Sequence, residues 1–239
     1  MSATKILESA EHRDGYRAAC KASPPNAEAR RVDKYVPYFL SPDEAHRLRA
    51  EISYIDLLNE SSVVVLHSSA DNGYPHTRPN DVVCMPENTI TGVPTQTLRN
   101  TLRHEAMHIH QRRYPTLWKN KCIHEGWKPI PTENIPKRFR DRCRINPDTM
   151  YETPFWAWQS YHVPLPMFED SKSLLLKDVR IEWMDLRTNA IFHEPPKSFT
   201  DTYGTPSQPE HPYEIYAVNY ANEGLSSNMA VKNKLLDLF

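Results

Sequence analysis

Polar residues dominate positions 1–31, and Ser23-Pro24-Pro25-Asn26 interrupts any helical run there, so this stretch is expected to form an arm appended to the rest of the chain. The first clear periodicity comes after it. Leu48, Ile52 and Ile55 recur at helical spacing, and Ser41-Pro42-Asp43-Glu44 offers a capping hydroxyl, a proline at the first helical position and an acid at the third. Together they predict a helix running into Leu57-Leu58. The pattern then turns β-rich over 62–67 and 81–85, with turn-forming Asp71-Asn72-Gly73-Tyr74-Pro75 between, which predicts two neighbouring strands. Helical spacing returns over 95–114, where Leu98, Leu102, Ala106 and Ile109 share a face, Thr95 or Thr97 can cap, and Pro115 ends the element. Positions 116–208 have no single period. Val179-Arg180-Ile181-Glu182-Trp183 alternates as a strand does, and the remainder is expected to be loop anchored by aromatic residues. A last helix is expected to start at Pro212 and run through Tyr220, with a further helical piece possible over 231–239.

This order of helix, strands, helix, irregular lobe and helix, without internal repeats, predicts an α+β fold with a small mixed sheet and a proline-rich C-terminal lobe. Composition refines it. There are 21 prolines against 6 glycines, crowded between Pro129 and Pro212, which argues for long stiffened connections there. With 239 residues, 39% hydrophobic, the chain can bury a core, and its formal charge of -1 carries no block of like charge, so nucleic acid is not the expected partner. No apolar run is long enough to span a membrane, and positions 1–17 are charged where a signal peptide would be apolar, so a soluble cytoplasmic protein is expected. Cys20, Cys84, Cys122 and Cys143 form no CxxC pair and are expected to be packed thiols.

The helix expected over 95–114 contains His104-Glu105-Ala106-Met107-His108. Histidines four apart project from one face, within reach of a single cation. Neutral imidazole suits zinc, which in catalytic sites takes three protein ligands and leaves a fourth position for water. Glu105 adjoins the first histidine, where a carboxylate can take a proton from that water and pass it to a leaving nitrogen. The motif therefore points to His104 and His108 as ligands of Zn2+ and to Glu105 as general base.

With Thr101, Leu102, Ala106, Met107 and Ile109 uncharged around these residues, the stretch resembles the zincin metallopeptidases, although His110 stands where an apolar residue is usual. No His-x-x-Gly-x-x-His continuation follows His108, so the gluzincin branch fits better. His211-Pro212-Tyr213-Glu214-Ile215-Tyr216-Ala217 looks like the second gluzincin helix, which implies Glu214 as third ligand, with Glu125, Glu182, His193 and His211 as rivals. The long separation of His108 and Glu214 implies an inserted lobe. Zincins also place an edge strand before the motif helix, along which the substrate backbone pairs. Residues 81–85 occupy that place, which implicates Val83. Arg78, just ahead, is a candidate to hold a substrate carboxylate or carbonyl, or else to buttress the turn. The donor that stabilises the transition state would come from Tyr203, Tyr213, Tyr216 or Tyr220. Stretches 104–118, 144–148 and 211–217 are also loosely similar to uncharacterised predicted metallopeptidases, some of large DNA viruses.

The resemblance implies a zincin-like domain over 32–239 and a zinc-dependent peptidase acting on a peptide or protein. The alternatives are a catalytically inactive zinc-binding structural or assembly protein that keeps the fold, and an interaction protein without metal. Trp156, Trp158, Tyr161 and Phe168 read as lobe core before substrate subsite. Arg112-Arg113 and Lys137-Arg138-Phe139-Arg140 read as solvated faces or salt links, and His110 as exposed.

Overall fold

The hydroxyl of Ser2 accepts the Lys5 N–H and starts α1 (Ala3–Asp14). Gly15, at φ 59, closes α1 and opens α2 (Tyr16–Ala22), a left-handed position that glycine adopts without strain. Ser23 then separates α2 from α3 (Pro24–Arg30), whose prolines occupy the first turn, where a missing N–H deletes no helical bond. The prolines that interrupt one helix thus begin the next. The computed structural model describes residues 1–31, 35–151, 153–169 and 175–223, so the helical piece expected over 231–239 lies outside the described residues. The stretch expected as an arm is built of these three helices, and Leu7, Tyr16 and Cys20 pack against Val64, Leu66, Val82 and Cys84.

In α4 (Pro42–Ile52) the capping box is present as the sequence predicts, with Ser41 and Glu44 each satisfying the other's backbone N–H. The first sheet holds β1 (Ser62–Leu66), β2 (His76–Arg78) and β3 (Val82–Pro86) in the order β1-β3-β2. The two runs expected to be neighbours do pair, in parallel, from Ser62 opposite Val82 to Leu66 opposite Pro86. Residues 76–78, which the sequence pattern does not mark as a strand, lie antiparallel on the other side of β3. This order corrects the expectation for Val83. It sits in the central strand, fully buried and flanked by hydrogen-bonded neighbours on both sides, so it offers no open edge to a substrate backbone.

The long helix α5 (Thr95–Arg113) begins at Pro94 without a side-chain cap, so neither Thr95 nor Thr97 plays that part. Its buried stripe of Leu98, Leu102, Ala106 and Ile109 packs on Val83, Met85, Ile90, Leu48 and Leu58. Pro115 ends α5 and also opens α6 (Pro115–His124).

From here the structure departs most from the sequence expectation. The lobe expected as loop is a five-stranded antiparallel sheet of β4 (Trp127–Ile130), β5 (Phe155–Trp158), β6 (His162–Phe168), β7 (Val179–Asp185) and β8 (Ala190–Phe192), in that spatial order. Pro164 and Pro166 within β6 are what conceal it. The Phe168 N–H donates to Arg142 O and the Arg144 N–H to Pro166 O, so even-numbered residues of β6 aim their backbone groups away from β7. The missing proline N–H groups therefore take nothing from the β6–β7 ladder. The short α7 (Lys137–Arg140) lies between β4 and β5 along the chain. Trp118, Trp127, Trp156, Trp158, Trp183, Phe199 and Tyr213 form the core over this sheet, closed by α8 (Lys197–Tyr203) and α9 (Pro212–Glu223). Trp156, Trp158 and Phe168 are buried, whereas Tyr161 lies partly exposed beneath the Arg187 guanidinium.

The result is a mixed α/β molecule with two small sheets, in which α9 packs along α5. All four cysteines are buried and outside any disulfide. Among the described residues no helix is long and apolar enough to cross a membrane.

Candidate metal centre

One turn of α5 separates His104 from His108, and the packing of α9 on α5 delivers Glu214 to the same point from the far end of the chain. Pro212 starts α9, and His211 caps it: its Nδ1 accepts the Tyr213 N–H at 3.1 Å while Nε2 donates to Thr153 O at 3.2 Å. Burial brings the His211 pKa down to about 4, which keeps the ring neutral and leaves Nδ1 able to accept. His211 is therefore a cap and not a ligand.

The two Nε2 atoms lie 3.1 Å apart, and Glu214 Oε2 lies 3.3 Å from each. In a tetrahedral zinc site with bonds of about 2.0–2.1 Å, donor atoms are separated by about 3.3 Å. The three atoms thus form a triangle with the dimensions of one face of that tetrahedron. Among the described residues this is the one group of three or more metal-type side chains whose donor atoms all lie within 4.8 Å of one another. Glu214 Oε2 is buried, and among the described residues the basic side chains paired with it are the two imidazoles. The chemistry of the donor set, two imidazoles and one carboxylate, fits zinc.

A layer of amides backs the donors. His108 Nδ1 is 2.8 Å from Gln111 Oε1, Gln111 Nε2 donates to Tyr213 O at 3.0 Å, and Asn146 Nδ2 donates to Glu214 Oε1 at 2.5 Å. Burial alone would raise the Glu214 pKa, but the charges and hydrogen bonds of His108 and His104 hold it well below the usual carboxylate range. Burial pulls His108 down, and the carboxylates of Glu214 and Asp148 outweigh it, pushing the imidazole up to about 10. Glu105 is 3% exposed, and its Oε2 has no hydrogen-bond partner. Burial first, then the charges of Asp148 and Glu214, push its pKa well up. Both His104 and Glu105 line an open cleft of about 320 Å³, whose walls include Asn100, Arg144, Asn146 and Gln208.

Other expected residues go elsewhere. Arg78 is fully buried and donates to Asp14 at 2.7 Å and Glu11 at 2.8 Å while lying over the Tyr16 ring, so it clamps α1 to the sheet and does not face the cleft. Glu182 pairs with His193 at 2.7 Å. Glu125 accepts from Lys121, Tyr203 and Tyr216. Tyr213 belongs to the aromatic core, and none of Tyr203, Tyr213, Tyr216 and Tyr220 lines the cleft. His110, expected to be exposed, is buried and accepts the Trp118 Nε1–H at 3.0 Å, because α6 folds back over it. Arg113 pairs with Asp81.

The sequence reading noted the 144–148 stretch only as part of a resemblance and assigned no role to two features of the site. Residues 144–148 form one wall: Asn146 holds Glu214, and Asp148 accepts the Thr77 N–H and Oγ1–H at 2.6 and 2.7 Å. Arg112 donates to Thr77 O at 3.1 Å, so the outer edge of β2 at Thr77 is also closed to a pairing strand. No periodicity marks this wall, since an Asn-Pro-Asp turn has none. The second is Gln111, which helical spacing does signal, three residues beyond His108 on the same face.

Compared with protein-family models, with curated proteins and with solved structures, the chain finds no match in any of the three. The functional reading therefore rests on the geometry of the site.

Proposed function

We propose that this chain is a metal-dependent hydrolase and, more narrowly, a zinc peptidase of the zincin kind. The observation that carries the reading is the donor triangle of His104, His108 and Glu214, in the same cleft as a Glu105 carboxylate oxygen without a partner. His104, His108 and Glu214 would hold the ion, which when bound supplies a Lewis acid and an acidified water. Glu105 takes a proton at its free oxygen and releases it to the leaving amine. A carboxylate whose proton affinity is raised by burial and by Asp148 is suited to both halves of that transfer. Asn100 and Gln208 are among the cleft-wall donors available to a substrate carbonyl. Strand pairing at β3 or at Thr77 of β2 is not part of the proposal, since both positions are already engaged. Four buried thiols outside any disulfide suit a reducing compartment such as the cytoplasm.

The test is metal analysis and peptide hydrolysis with purified protein and a Glu105→Gln variant. The expected result is one zinc per chain in both, with hydrolysis abolished in the variant. Wild-type protein that binds no zinc, or a variant as active as wild type, overturns the reading. The closed edge of β2 favours one second reading, a zinc-binding structural protein without turnover, which predicts stoichiometric zinc and no hydrolysis in either form.

A further inference from the structure

We infer that Gln111 and Asn146 are the positioning residues of this centre: two neutral amides, one behind each ligand arm, that decide which atom of His108 and of Glu214 faces the ion. The inference rests on the metal reading above and adds a role that neither the motif nor the donor triangle assigns.

The argument for Gln111 follows from donor and acceptor inventory. Gln111 is fully buried, and one end of its amide lies 3.0 Å from Tyr213 O. A backbone carbonyl can only accept, so the amide nitrogen must face it. That leaves the amide oxygen toward His108 Nδ1 at 2.8 Å. An amide oxygen can also only accept, so Nδ1 carries the hydrogen. With the hydrogen on Nδ1, the neutral ring has its lone pair on Nε2, the atom that belongs to the triangle.

The same reasoning applies to Asn146. Its Oδ1 accepts the Asp148 N–H at 3.1 Å, which turns Nδ2 toward Glu214 Oε1 at 2.5 Å. With Oε1 engaged, Oε2 is the free oxygen, and it is the one 3.3 Å from both imidazoles. Glu214 is thereby set as a ligand through one oxygen. Both amides also span elements: Gln111 ties α5 to the first turn of α9 beside Glu214, and Asn146 ties that turn to the 144–148 wall. The spacing of ligands from distant parts of the chain is held by these two bonds as well as by core packing. Partners of this kind orient ligands and set metal affinity.

The experiment measures zinc affinity by competition with a chromophoric chelator, and reads the His108 ring by long-range proton–nitrogen NMR in the zinc-loaded wild type. Gln111→Leu and Asn146→Leu, similar in size but unable to hydrogen-bond, should each weaken zinc about 10–100-fold. Gln111→Glu, which keeps an acceptor for Nδ1–H, should bind zinc more tightly than Gln111→Leu. Wild-type His108 should show its hydrogen on Nδ1 and the metal on Nε2. Leucine variants that bind zinc as wild type does overturn the inference while leaving the metal reading standing. A zinc-loaded wild-type ring with its hydrogen on Nε2 overturns both, since Nε2 is the atom of the triangle. If the variants do not fold, the wild-type spectrum decides alone. A wild type that binds no zinc removes the metal reading, and this inference with it.

Discussion

Zinc should raise the unfolding temperature of the metal-free protein, and Glu214→Ala should abolish most of that rise. The triangle exists only in the folded chain, because Glu214 reaches the histidines solely through the packing of α9 on α5. Zinc bound there stabilises the folded state by mass action, about 2.7 kcal/mol at a free concentration one hundred times the dissociation constant. For a chain of this length, 1 kcal/mol moves the midpoint by about 2–4 °C. The expected rise is therefore about 5–11 °C, growing by about 1.4 kcal/mol with each further tenfold of free zinc. Glu214 is 1% exposed and accepts from Asn146, so its removal also perturbs the metal-free fold. Each variant is accordingly compared with its own chelator-treated baseline, so that the fold effect cancels. Scanning calorimetry over a series of buffered zinc concentrations, with magnesium as a control that favours oxygen donors, makes the measurement. The reasoning is refuted if wild-type protein shows no zinc-dependent rise, or if Glu214→Ala shows the same rise.

Two further outcomes follow from residues outside the centre. Arg78→Ala should destabilise the fold by about 3–5 kcal/mol in urea unfolding, since it strands Asp14 and Glu11 against the sheet, and any activity of the folded fraction should be unchanged. A variant of normal stability with weakened substrate binding would return Arg78 to the cleft. His211 has a folded pKa of about 4 against an ordinary 6.5, so the unfolded chain takes up its proton first as pH falls. Its contribution is fully present above pH 6.5 and is lost toward pH 4, by about 3 kcal/mol. The difference in urea stability between wild type and His211→Asn should narrow over that window, and parallel curves would contradict it.

Much of the fold was legible along the chain because its signals are local. The capping box at Ser41, the buried stripe of α5, the paired runs of β1 and β3 and the start of α9 at Pro212 all depend on neighbours within a turn or a strand. The histidine pair is of the same kind, since helical spacing alone puts His104 and His108 together and leaves Gln111 beside them. The second sheet was not legible, because Pro164 and Pro166 disguise a strand whose proline positions are harmless only when the neighbouring strand is known. Arg78 and Val83 show the same limit: an arginine before a strand does not reveal that α1 covers it, and strand order decides which strand is central. Glu214 was reached by the look of its own helix, yet only the contact between α5 and α9 sets its oxygen 3.3 Å from two imidazoles. Sequence by itself determined the chemistry each element carries. Tertiary structure decided which of those chemistries meet, because contacts between distant segments depend on the packing of whole surfaces and leave no mark in local spacing.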